Sequence, residues 1–133
     1  MDKQKLYDTV KSADHAINSE NLEELMNFYS DNAILVVKPG LLATGKPQIK
    51  KAFTAIIDYF NHSLVVNQDK MAIIETEDIA LVIAKAELHA NNDKQSEYSM
   101  ERISTYVFRK NEDGNWLCVI DNSYGAELLE NQK

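Results

Sequence analysis

The chain has 133 residues, 44% of them hydrophobic, a formal net charge of −7 and a single cysteine. A chain of that length builds one core, burying roughly two-thirds of its unfolded surface, and has no room for a second domain. The acidic balance opposes a phosphate backbone or an anionic lipid surface, both of which reward clustered Lys and Arg, so neither nucleic acid nor membrane is expected as a partner; no internal disulfide is possible.

The start, Met1-Asp2-Lys3-Gln4-Lys5, lacks the apolar run of a secretory signal, and no apolar stretch reaches bilayer length, so a cytoplasmic location is expected. Leu6, Val10, Ala13 and Ile17 recur at helical spacing and predict a first helix from about Lys3 to Asn18. Asp14 falls on the edge of that stripe beside Val10, with Tyr7 one turn before Val10 on the same flank, whereas His15 points to nearly the opposite side. Asn21 and Glu24 form a capping box for a second helix whose buried face is Leu22, Leu25, Met26 and Tyr29. Ser30-Asp31-Asn32 ends it, and Ala33 to Val37 reads as a short buried strand closed by Pro39-Gly40.

Ile49, Ala52, Phe53, Ile56, Ile57 and Phe60 mark a third helix, with Pro47 in its first turn. Strands are then expected at Ser63 to Glu75, Ile79 to Ala90, Tyr98 to Lys110 and Asn115 to Ser123. Turn residues at Thr76-Glu77-Asp78, Asn91-Asn92-Asp93 and Asn111-Glu112-Asp113-Gly114 separate them into antiparallel hairpins. Helices followed by a meander argue for an α+β fold, three helices packed on a curved, mostly antiparallel sheet around a pocket. Residues 1–126 are expected to form the domain, and 127–133 a loose tail.

Two stretches resemble the nuclear transport factor 2-like superfamily, which includes ketosteroid isomerases, scytalone dehydratase and SnoaL-like polyketide cyclases. One is Asn21 through Ala33 followed by Gly45-Lys46-Pro47-Gln48-Ile49; the other runs from Asp113-Gly114-Asn115-Trp116 to Asp121-Asn122-Ser123. The resemblance implies a cone-like fold, a pocket for a small molecule, no cofactor, and a homodimer. It also implies what is missing. The position of the isomerase general base falls on Val37 and that of its tyrosine on Ala13, with the second oxyanion donor at or beside Tyr106. Valine cannot take a proton, so the standard ketosteroid isomerase mechanism is not expected. Activity does not follow from such a fold and has to be argued from the pocket.

With the last hairpin in the family's register, Arg102, Ser104 and Tyr106 on one strand and Asp121 and Ser123 on the next point inward, and Glu101 and Asn122 outward. Asp14, Asp121 and Tyr106 are the candidates for acid–base work, since a carboxylate at an apolar cavity edge has a raised pKa and a tyrosine can donate to an oxyanion. The commoner role for such carboxylates is structural, as a salt bridge to Arg102 or a cap on nearby backbone. Tyr7, Val37, Phe53, Ile57, Arg102, Ser104, Val119 and Ser123 are expected to line the ligand site, along with Ile34 and Val36. Asp14, Arg102 and Asp121 also match the residue types of the Asp-Arg-Asp arrangement in limonene epoxide hydrolases, without a matching motif.

Cys118 reads as a small core residue. His15, His62 and His89 are unpaired in sequence and read as surface residues, with His62 nearest the pocket mouth. No spacing suited to zinc occurs. The expected function is binding of a small apolar or carbonyl-containing molecule, with cofactor-independent isomerase, dehydratase or cyclase chemistry. The alternative is a non-catalytic module whose sheet pairs two copies or docks a protein.

Overall fold

Helix α1 spans Lys3–Asn18 and buries Leu6, Val10 and Ala13 as the spacing predicts, with Asp14 and Ala16 beside them. The computed structural model describes residues 2–91 and 97–131. Asp2 does not cap α1 with its side chain. Its carboxylate instead accepts from Trp116 Nε1 at 3.0 Å and pairs with Lys110 Nζ at 2.9 Å, tying the start of α1 to the last hairpin.

Helix α2 is short, Leu22–Met26. Asn21 Oδ1 accepts from Glu24 N at 3.1 Å, but the Glu24 carboxylate receives the Asn21 side-chain amide rather than its backbone N–H, so only half of the expected capping box forms. Tyr29, expected on the buried face of this helix, is the first residue of strand β1 (Tyr29–Lys38). The cause is tertiary: the Phe28 carbonyl accepts from Cys118 N at 2.8 Å and Tyr29 pairs with Cys118, so a ladder to the far end of the chain overrides the helical spacing.

Pro39-Gly40, expected to end the strand, is a hairpin turn with Gly40 at φ 87°, and Leu41–Thr44 returns as an unforeseen edge strand, β2. Gly45 follows at φ 83°, ψ 158°, a region that is essentially glycine's alone, and its N–H donates to the Ala33 carbonyl at 2.8 Å. That bond ties the start of helix α3 (Lys46–Tyr59), which follows β2, to β1. Pro47 occupies the first turn, where no N–H is needed.

Strands β3 (Val65–Glu75), β4 (Ile79–Asn91), β5 (Glu97–Lys110) and β6 (Trp116–Asn122) complete one sheet in the order β2-β1-β6-β5-β4-β3. Every neighbouring pair is antiparallel except β1 with β6. The turn expected at Asn91-Asn92-Asp93 lies partly outside the described residues. Beyond β6, Gly125–Asn131 forms a 3-10 turn where a loose tail was expected from Glu127; residues 132 and 133 lie outside the described part.

The ladders carry one-residue bulges at Val37, Asp69 and Val119, where two residues of one strand oppose one of its neighbour. Such an insertion bends a strand and increases its twist. In β6 it also lets Cys118 and Asp121, three residues apart, face the same side, while Ile120 points out at 44% exposure. The core beneath is aromatic and branched: Phe28 meets Tyr29, Tyr106 and Phe108 edge to face at 5.0–5.5 Å, over Leu6, Val10, Ile49 and Val82. Among the described residues no helix is long and apolar enough to cross a membrane.

Candidate binding cavity

Between the helices and the inner face of the sheet lies a cavity of about 330 Å³, at the small end of the range for ligand sites. It exists because the inner face of β4 is built from small residues. Val82 is buried in the core, but the next inward positions of β4 are Ala84 and Ala86, which leave space. The helices contribute Ala13, Asp14, Ile17, Phe53 and Ile56, and β1 contributes Leu35, Val36 and Val37. Both Val36 and Val37 reach the cavity because Val37 is the bulged residue. The isomerase positions, Ala13 and Val37, are therefore apolar wall.

Most of the polar groups come from the last two strands. Arg102, Ser104 and Tyr106 of β5 face the cavity at alternate positions, and Asp121 and Ser123 face them from β6 and its end, with Tyr106 paired to Asp121 in the ladder. Ser104 Oγ and Ser123 Oγ are 2.8 Å apart. Asp121 is 5% exposed, and its Oδ2 accepts from Tyr29 Oη at 2.7 Å. Burial raises its pKa to about 6, and the tyrosine bond opposes that rise by favouring the ionised form.

Asp14 completes the group from α1. It is 8% exposed, and its Oδ2 has no hydrogen-bond partner among the described residues. Burial raises its pKa to about 7, the charge of Asp121 adds to the rise, and Lys11, one turn away, opposes it. The Tyr106 hydroxyl is pushed well above its usual value by burial and then by the charges of Asp121 and Asp14. It stays a neutral donor across the accessible pH range. The site thus combines one carboxyl poised near neutrality, one carboxyl held by a tyrosine, and a neutral phenol.

The salt bridge expected as the commoner role of these carboxylates does not form. Among the described residues Arg102 pairs with no acid, so the Asp-Arg-Asp residue types are present without being bridged. Four expected lining residues lie elsewhere. Tyr7, two turns before Asp14 on α1, is 37% exposed with Lys11 over its ring. Ile57 packs into the core, and its neighbours Ile56, Tyr59 and Phe60 line the cavity instead, since the face of α3 toward the site is one residue out of step with its most buried face. Val119 is taken out of the ladder by its bulge. Ile34 also lies outside the lining.

Tyr29, Gln68 and Tyr124 were not singled out, although all three reach the cavity. Tyr29 was hidden by its helical spacing, while the period of two through Val66 and Gln68 was available to find Gln68. Cys118 is fully buried, as a core residue should be. His62 lies outside the lining and instead contacts Glu20 and Asp58 at 2.7 and 3.0 Å. Among the described residues no group of three His, Cys, Asp or Glu side chains is placed to hold a metal ion.

The family model described as SnoaL-like domain matches residues 8–120. Comparison with curated proteins gives no match. Among solved structures, an NTF2-like protein with a cystatin-like fold from Novosphingobium aromaticivorans superposes with a TM-score of 0.80 at 13% identity, covering 99% of this chain and 90% of that one. A scytalone dehydratase candidate from the same organism gives 0.78 at 16% identity, covering 88% and 78%. A ketosteroid isomerase-like protein from Erwinia carotovora gives 0.75 at 15%, covering 92% and 94%. At these identities the likeness carries the fold alone.

Proposed function

From the premise that the chain belongs to the SnoaL-like domain family, within the nuclear transport factor 2-like superfamily, we propose that its cavity binds a small, mainly apolar carbonyl compound and moves a proton beside the carbonyl. The observation that carries this is Asp14: a buried carboxyl with an unpartnered oxygen, at an apolar cavity, with a pKa of about 7. A base whose pKa matches the working pH is the most effective compromise between being ionised and being willing to hold a proton.

In this reading the ionised Asp14 takes a proton from the carbon next to the carbonyl. The charge that moves onto the carbonyl oxygen is met by the Tyr106 hydroxyl, whose ring packs edge to face on Phe28. Asp121, anchored on Tyr29, tunes Asp14 by its charge rather than taking the proton. The same steps serve isomerisation, dehydration or ring closure, depending on what the enolate does next. The likeness to ketosteroid isomerase-like and scytalone dehydratase-like proteins supports this class, with Asp14 as the base in place of the residue that Val37 has displaced.

The binding half is tested with 2-naphthol, a flat phenol with the shape of an enolised bicyclic ketone. It should raise the melting temperature in a saturable way, because a ligand that binds only the folded state stabilises it by mass action. No shift up to its solubility limit would rule the reading out.

A second reading concerns the outer face of the sheet, where Ile74, Ile83, Ile103 and Ile120 are 42–64% exposed, opposite to the cavity in the ladder alternation. This row supports pairing of two copies sheet to sheet. Light scattering should then give a dimer mass, and Ile103→Glu a monomer; a monomeric wild type would end this reading and leave the cavity's intact.

A further inference from the structure

Arg102 is the only Lys or Arg among the described residues that line the cavity. Its guanidinium sits over the Tyr124 ring, 4.8 Å from the centroid, which fixes its plane but satisfies none of its N–H groups. The bonds it makes are long: Nη1 to the Ser123 carbonyl at 3.4 Å and Nη2 to Met100 Sδ at 3.5 Å. A guanidinium carries five N–H donors in a planar fork suited to a carboxylate. In a chain with 21 acidic residues, no acid among the described ones is placed on it.

Its position relative to the acid–base group is set by the strand. Arg102, Ser104 and Tyr106 are successive inward residues of β5, so the backbone at Arg102 lies about 13 Å from that at Tyr106. The Ser104–Ser123 hydroxyl pair stands between them. Arg102 is half-buried, whereas the two carboxyl groups are buried, Asp14 at 8% and Asp121 at 5% exposure. Phe53, Val66 and Ala86 supply apolar wall. The cavity therefore carries ionisable groups at two separated points, with a cation that no acid among the described residues pairs at the outer one and carboxyl groups at the inner one.

We propose that the ligand is a carboxylic acid: a mainly apolar compound whose carboxylate is held by Arg102 and whose carbonyl lies at Tyr106 and Asp14. The inference rests on the proton-transfer reading and adds the substrate class and its orientation. A carboxylate at the inner end would face Asp121 and Asp14, so repulsion there and attraction at Arg102 select one direction of entry.

The test uses the series from 3-benzoylpropionic acid to 6-benzoylhexanoic acid, each beside its neutral primary amide, with dissociation constants measured by calorimetry at pH 7.5. In the wild type, the acids long enough to reach should bind at least about tenfold more tightly than their amides, as expected for a charge-assisted fork. Arg102→Gln should bring the acids to the level of the amides. Arg102→Lys should keep part of the preference, since it retains the charge and loses the fork. If Arg102→Gln does not fold, the wild-type comparison and the lysine variant decide the matter. Equal binding of acid and amide by the wild type, or a preference that survives in Arg102→Gln, overturns this inference and leaves the proton-transfer reading standing. Binding of neither, at any chain length, overturns both.

Discussion

Replacing Asp14 with asparagine lowers the rate at which the protein exchanges the α-hydrogens of 2-tetralone for deuterium by about 10²–10⁴-fold, the usual worth of a positioned general base. In the wild type the Asp14 carboxylate takes an α-proton, the enolate oxygen accepts from the Tyr106 hydroxyl, and the carboxyl trades its proton with D₂O before returning a deuteron to the same carbon. Loss of the α-CH₂ signal in the proton NMR spectrum reports the rate. Because Asp14 must be ionised and its pKa is about 7, the wild-type rate should climb with pH and level off above that value. Asp121→Asn should shift the inflexion to lower pH, since it removes the negative neighbour that helps raise the Asp14 pKa. An Asp14→Asn variant within a few-fold of wild type, or a flat pH profile, would remove Asp14 from the chemistry.

The second large effect is on stability, and its sign is opposite to that of a paired carboxylate. An Asp14 pKa of about 7 in the fold stands above the ordinary value of 3.8, so between those limits the native state holds a proton that the unfolded chain has released. Stability then falls as pH rises through that window, and the loss is complete above about 7. A shift of about three units corresponds to roughly 4 kcal/mol at most. Asp121, raised from 3.8 to about 6, acts in the same direction over the lower part of the window. The two contributions do not add, since part of the Asp14 shift is the charge of Asp121. Asparagine at position 14 cannot ionise, so at pH 8 the variant should be more stable than wild type by about 2–4 kcal/mol, or on the order of ten degrees in Tm. At pH 4.5 that advantage should shrink to about 1 kcal/mol or less. Denaturant melts at the two pH values check it; a variant less stable than wild type at pH 8 would mean that the Asp14 carboxylate is held by partners and is not poised for a ligand. Together the two results would describe a residue that costs the fold stability and supplies the cavity with its base.

Much of this could be read before the structure, and the failures share a cause. The stripe Leu6, Val10, Ala13 defines α1 without outside help, because the period of a helix is contained in one segment. The inward placement of Arg102, Ser104 and Tyr106 likewise needs only the period of two. Tyr29 was beyond such reading, since the ladder that makes it a strand residue is to β6 at the far end of the chain. Leu41–Thr44 was hidden because Pro39-Gly40 signals a turn as readily as an end. The site itself was legible as a list of residue types on the right faces. Its electrostatics were not: nothing in the sequence says that Tyr29 would hold Asp121, or that among the described residues Arg102 would meet no acid and one Asp14 oxygen no hydrogen-bond partner.

The extra residue at Val119 separates two properties that usually move together. Counting along β6, a strand with Val119 removed would still turn Cys118 and Asp121 to the same side and Ile120 to the other; it would lose only its bend. The bend of β6 and the identity of the groups it turns toward the cavity are thus under separate control. A change of length at this one position reshapes the vessel and keeps its reagents, a route to new ligand sizes that demands no new chemistry.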